Sequence, residues 1–112
     1  MENKEEIEKV LMRMIESTIT LSFPMFSNEM QKQKILNEKK EKIEQNILDI
    51  VNTYDINISL KLHKNKIWDE CRKKATESFD SLPEKMQLNS FYLQEVMHLY
   101  AERLSELVLN EL

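Results

Sequence analysis

The 112-residue chain contains no glycine. A phosphate-cradling loop needs glycine so that backbone N–H groups can close on the phosphates, so a Walker loop and a dinucleotide fingerprint are both excluded. The sharp nucleophile elbow of hydrolases is excluded for a related reason, since its turn relies on small residues. Tight hairpins mostly need glycine or Asn-Gly, which argues against a multi-stranded antiparallel sheet. Cys71 is the single cysteine, so no intrachain disulfide can form. Pro24 and Pro83 are the only prolines, and no apolar run reaches the roughly 18 residues that a membrane span requires.

Apolar residues make up 41% of the chain and charged residues 32%, and helix breakers are few. That combination indicates an all-α fold, a small bundle of about four helices in one domain over residues 1–112. Sixteen basic residues face twenty acidic ones, for a net charge of −4. The excess is spread evenly over the two halves, so neither carries the basic surplus of a general nucleic-acid binder. The opening MENKEEIEK is polar with no signal-peptide core behind it, and the expected location is cytoplasmic.

Asn3 and Glu6 have capping-box spacing, and Ile7, Val10, Leu11, Met14, Ile15, Thr18 and Leu21 follow at helical intervals. Pro24 holds Phe23 out of the helical region, so a helix over 3–22 is predicted, closed by the apolar turn Phe23-Pro24-Met25-Phe26. A second helix, 28–54, starts from Ser27 or Asn28, the latter paired with Gln31. Its first half has only Ile35 and Leu36 as apolar members and is expected to project into solvent or toward a partner. Its second half carries the stripe Ile43, Ile47, Ile50, Val51 and Tyr54. A third helix is placed at 64–81, ended by Ser81-Leu82-Pro83-Glu84. The fourth, 89–110, starts from the cap Asn89 with a Leu88–Leu93 staple and carries the stripe Leu93, Val96, Met97, Tyr100, Leu104, Leu107 and Val108. Leu99, Leu109 and Leu112 lie off this stripe, as a dimer edge would.

Residues 56–62 are open between two readings. Ile56, Ile58, Leu60 and Leu62 alternate with Asn57, Ser59 and Lys61, the period of a strand. Leu60 also shares a helical face with Ile67, Cys71, Ala75, Phe79 and Leu82. A short intersubunit strand is thus one option for this segment.

Chemical motifs are sparse. Asp55, Asn57 and Ser59 occupy the first positions of a calcium loop, but Leu60 and Lys66 stand where its glycine and bidentate glutamate belong, which excludes calcium. Glu95 and His98 form one Glu-x-x-His pair, whereas di-iron bundles use two pairs with further glutamates. His63, Cys71 and His98 lack zinc-ligand spacing. Cys71 falls on the apolar side of its helix, as a core residue does. Trp68 lies beside that face and reads as a core or interface anchor. Met12, Met14, Met25 and Met30 read as core filling, with an adaptable peptide-binding surface as the other option. No catalytic, cofactor or metal site is expected.

Residues 56–108 resemble the ribbon-helix-helix family of DNA-binding repressors of the Arc and MetJ type. The ribbon would be Ile56-Asn57-Ile58-Ser59-Leu60-Lys61-Leu62, and Leu88-Asn89-Ser90 followed by Gln94, Val96 and Met97 is similar to the opening of the family's second helix. The resemblance implies a dimer whose paired strands enter the major groove, with Asn57, Ser59 and Lys61 facing bases. The segment between ribbon and second helix is longer than the family's, and some 55 residues precede the ribbon.

The residues themselves point first to a non-enzymatic helical protein that acts by protein–protein interaction: an inhibitor, an immunity or anti-host factor, a chaperone or a regulatory subunit. A protein partner and a homodimer are expected, without a membrane. DNA is the partner only under the ribbon-helix-helix alternative. The candidate surfaces are the polar first half of helix 2 and the acidic face of helix 4, with Glu95, His98, Glu102 and Glu106.

Overall fold

The computed structural model describes residues 2–24, 28–79 and 90–112. Among the described residues four helices form: α1 (Glu2–Ile19), α2 (Glu29–Thr53), α3 (Leu60–Phe79) and α4 (Ser90–Asn110). The all-α bundle expected from the composition is the fold observed, and no strand occurs among the described residues.

Helix α4 is the hub. It packs on α1, α2 and α3, while α1 also packs on α2. Its sequence explains why: Leu93, Val96, Met97, Tyr100, Ala101, Leu104, Ser105 and Val108 are all buried, more than one narrow stripe can hold. A helix apolar over most of its circumference must be surrounded by others. Leu99 and Leu109, set off the main stripe, pack partly against this same core. Their apolar character therefore has an outlet within one chain, without a second copy, whereas Leu112 stays half-exposed.

The starts and stops follow local chemistry. Asn28 caps α2, its side chain accepting from the Gln31 N–H at 2.8 Å, while the Gln31 side chain accepts from the Asn28 N–H at 3.0 Å. This is the reciprocal box its spacing predicts. Helix α2 ends in a left-handed residue, Asp55 at φ 52°. The Ile56 N–H then bonds to the Val51 carbonyl at 2.9 Å and the Asp55 N–H to that of Asn52 at 3.4 Å. This is a Schellman closure with aspartate in the position glycine usually takes. In a chain without glycine, a short polar residue is the least costly substitute.

Three boundary features differ from those predicted. Helix α1 stops at Ile19, not near residue 22, because Pro24 limits how far a helix can run without fixing where it ends. Asn3 lies inside α1 rather than ahead of it, so it is not the cap. Helix α3 begins at Leu60, so Leu60, Lys61 and Leu62 form its first turn, and the strand offered for residues 56–62 is not formed. Residues 56–59 are a connection without regular secondary structure in which Ile56 is buried and Ile58 half-buried, while Asn57 and Ser59 are exposed. Alternate burial along such a connection produces a strand-like period without a paired strand.

The first half of α2 does not stand free. Leu36 is 2% exposed and Ile35 packs against the core. Between α1 and α2, the buried Thr18 hydroxyl donates to the Met14 carbonyl at 2.6 Å and accepts from the Asn46 side chain at 3.3 Å, so it is satisfied on both counts. Phe23 packs against the core, but Met25 and Phe26 lie outside the described residues, as do the predicted helix stop at 81–84 and the Leu88 and Asn89 start signals.

Candidate interaction cleft

Helices α2 and α3 both lie on α4, yet their backbones barely approach each other. A cleft is left between them, over the buried Leu93 and Val96 of α4 at one end and Leu104 at the other. Side chains close it in the middle and leave it open at both ends.

The closure is a cluster of aromatic rings and charges. Trp68 of α3 meets Tyr100 of α4 edge to face, 5.0 Å between centroids and 85° between planes. Lys40 of α2 lays its ammonium over the Trp68 ring at 4.8 Å and near Tyr100 at 5.9 Å. The aliphatic stem of a lysine can cover apolar surface while its charge meets the ring faces. One turn further along α2, Glu44 accepts a hydrogen bond from the Tyr100 hydroxyl. The ammonium of Lys64, on α3, lies 3.6 Å from the other carboxylate oxygen of Glu44. Burial, with the Glu44 hydrogen bond and negative charge beside it, pushes the Tyr100 phenol well above its ordinary range. The phenol therefore stays a neutral donor, and α2 is tied to α3 by side chains where backbone packing is lacking.

Beyond this bridge, Glu41, Glu44, Gln45 and Leu48 form the α2 wall of one open end, and Leu60, Lys61 and Lys64 the α3 wall, over Leu104. The hollow measures about 380 Å³. Leu48 is 40% exposed there, while Leu104 is fully covered by its neighbours. The other end, about 210 Å³, lies among Glu29, Gln33 and Leu36 of α2, Arg72 of α3, and Tyr92, Leu93 and Val96 of α4. The Tyr92 hydroxyl is hydrogen-bonded to that of Thr76 at 2.7 Å.

The residues singled out from the sequence are scattered. Asn57, Ser59 and Lys61 are all exposed, and only Lys61 borders the cleft. On α4, His98 bonds Glu102 at 2.9 Å and Arg103 bonds Glu106 at 3.0 Å, leaving a solvated face with local pairs. Among the described residues no group of three His, Cys, Asp or Glu side chains is arranged to hold a metal. Burial pushes the Cys71 thiol up to about 11, which keeps it a neutral thiol near neutral pH. Trp68 is the core anchor expected. The methionines divide, Met14 packing on the core while Met12 and Met30 are exposed; Met25 is outside the described residues. Sequence reasoning missed Lys40, Glu44 and Lys64. Their one signal is position, since Glu44 borders the stripe beginning at Ile43 and sits four residues after Lys40.

No helix among the described residues is long and apolar enough to cross a membrane. No protein-family model matches the chain, and neither a curated protein nor a solved structure does.

Proposed function

We propose that this chain is a non-enzymatic helical protein that acts by binding another protein, as an inhibitor, immunity or anti-host factor, chaperone or regulatory subunit, and that it self-associates. The observation that carries this reading is the open end of the α2–α3 cleft, where Leu48 is 40% exposed beside Leu60 at a hollow of about 380 Å³. Apolar depressions with a charged rim are where partner side chains anchor.

The test is a photo-crosslinking amino acid placed at Leu48 in the native host, with the same residue at Met12 on α1 as control. A defined protein captured from position 48 and not from 12 supports the reading. Crosslinks from neither position, or from Met12 alone, contradict it. Sedimentation of the purified chain over a concentration series tests self-association, and a monomer throughout removes that part.

The exposure of Asn57, Ser59 and Lys61 supports a second reading, a dimeric ribbon-helix-helix regulator that binds DNA. For this, residues 60–62 must leave α3 and Ile56 must leave the core when the dimer forms. Binding to promoter DNA that weakens steeply with salt supports it, and no binding at low salt sinks it.

A further inference from the structure

The two walls of the cleft differ in charge. Helix α3 is the basic element of an acidic protein, with Lys61, Lys64, Lys66, Arg72, Lys73 and Lys74 against Asp69, Glu70 and Glu77. At the 380 Å³ end its wall presents Lys61 and Lys64, and the α2 wall opposite presents Glu41 and Glu44. Glu44 and Lys64 neutralise each other across the cleft. Glu41 and Lys61 make no ion pair among the described residues. The hollow therefore has apolar shoulders, Leu48 and Leu60, above the buried Leu104, and one unneutralised charge of each sign on opposite rims.

From this arrangement we infer that the site takes an amphipathic helix of a partner protein, which seats a large apolar side chain between Leu48 and Leu60 and turns a basic flank to Glu41 and an acidic flank to Lys61. The inference rests on the protein-binding reading and names the chemistry of the partner. A helix fits better than an extended segment because both walls are helices. Neither offers a free strand edge, so an extended peptide would leave its N–H and C=O groups unpaired between the apolar shoulders, whereas a helix bonds its own. The volume exceeds that of one side chain, which leaves room for an anchor and its neighbour one turn away.

The experiment uses three synthetic helical peptides of about 16 residues, long enough to hold a helix, that share one leucine face. One carries lysine on one flank and glutamate on the other; the second carries lysine on both flanks; the third carries glutamate on both. Reversing a helix exchanges its flanks, so one mixed peptide suffices. Binding to the full chain is read by fluorescence anisotropy. The mixed peptide is expected to bind about 3- to 10-fold more tightly than either of the others, the range that rim charges confer. Glu41→Lys, which makes both rims basic, transfers the preference to the all-glutamate peptide, and Lys61→Glu transfers it to the all-lysine peptide. Leu48→Glu, on a half-exposed position, abolishes binding of all three while circular dichroism stays unchanged. Equal affinities, no transfer of preference, or no binding up to about 1 mM overturns the inference. A partner crosslinked from position 48 in cells alongside any of those results leaves the protein-binding reading standing and removes only the helical, charge-paired partner. A chain that pairs with its own copy through this site, seen as Leu48→Glu abolishing a dimer, also overturns it.

Discussion

Trp68 and Tyr100 meet edge to face with 5.0 Å between ring centroids, and Lys40 over both rings brings α2 to this contact of α3 and α4. Aromatic pairs in this geometry contribute about 0.5–1.5 kcal/mol beyond the area they bury. Trp68→Ala removes both contributions and is expected to cost about 3–5 kcal/mol. Urea denaturation followed by circular dichroism measures it; a loss below about 1 kcal/mol would mean that the ring is not the anchor described.

Tyr100→Phe keeps the ring and deletes the hydroxyl that donates to Glu44. Lys64 still reaches the carboxylate, so the loss is one hydrogen bond to a charged group, about 1.5–3 kcal/mol. Lys64→Met should not cost the same when made on top of Tyr100→Phe as it does in the wild type, because both partners share Glu44. Strict additivity in the double-mutant cycle would show that the three groups do not act together.

Glycine has been replaced in its most demanding role by Asp55, whose φ of 52° puts an L-residue in left-handed backbone. Asp55→Gly relieves that cost and is expected to stabilise the chain by about 1 kcal/mol, whereas Asp55→Val makes it worse. The opposite ordering of denaturation midpoints would contradict the Schellman closure of α2.

The alkaline limb of stability carries a signature of Cys71. Its folded-state value of about 11 lies above the ordinary 9.0, because burial disfavours the thiolate. The resulting stability is fully present below pH 9 and is lost as pH rises toward 11. Wild type should therefore lose stability over that window relative to Cys71→Ala, while the Tyr100 contribution, common to both, cancels. In the native protein the thiol should resist a disulfide reagent at about pH 8 and react at once in denaturant. Rapid native labelling would contradict its burial.

Helices α2 and α4 were legible because their apolar residues recur over many turns and, for α2, because Asn28 and Gln31 form a box whose spacing is distinctive. The end of α1 was not, since the proline that marks its limit lies five residues past Ile19. Residues 56–59 illustrate an ambiguity of physical origin: a strand and an irregular connection laid along a core can both bury every second side chain. The cleft was hidden for another reason. Lys40, Glu44 and Lys64 belong to charge-rich helix faces, and nothing local distinguishes a lysine lying over a tryptophan from one in solvent. Only the tertiary arrangement, with α2 and α3 both docked on α4 but not on each other, brings them together.

Backbone chemical shifts of residues 56–62 in the native protein separate a partner-binding bundle from a ribbon-paired DNA-binding dimer most directly. The bundle requires helical shifts from Leu60 onward and non-helical shifts without cross-strand contacts at 56–59. Strand shifts running through Leu62, with cross-strand contacts to a second copy, would contradict it and place Asn57, Ser59 and Lys61 on a DNA-reading ribbon.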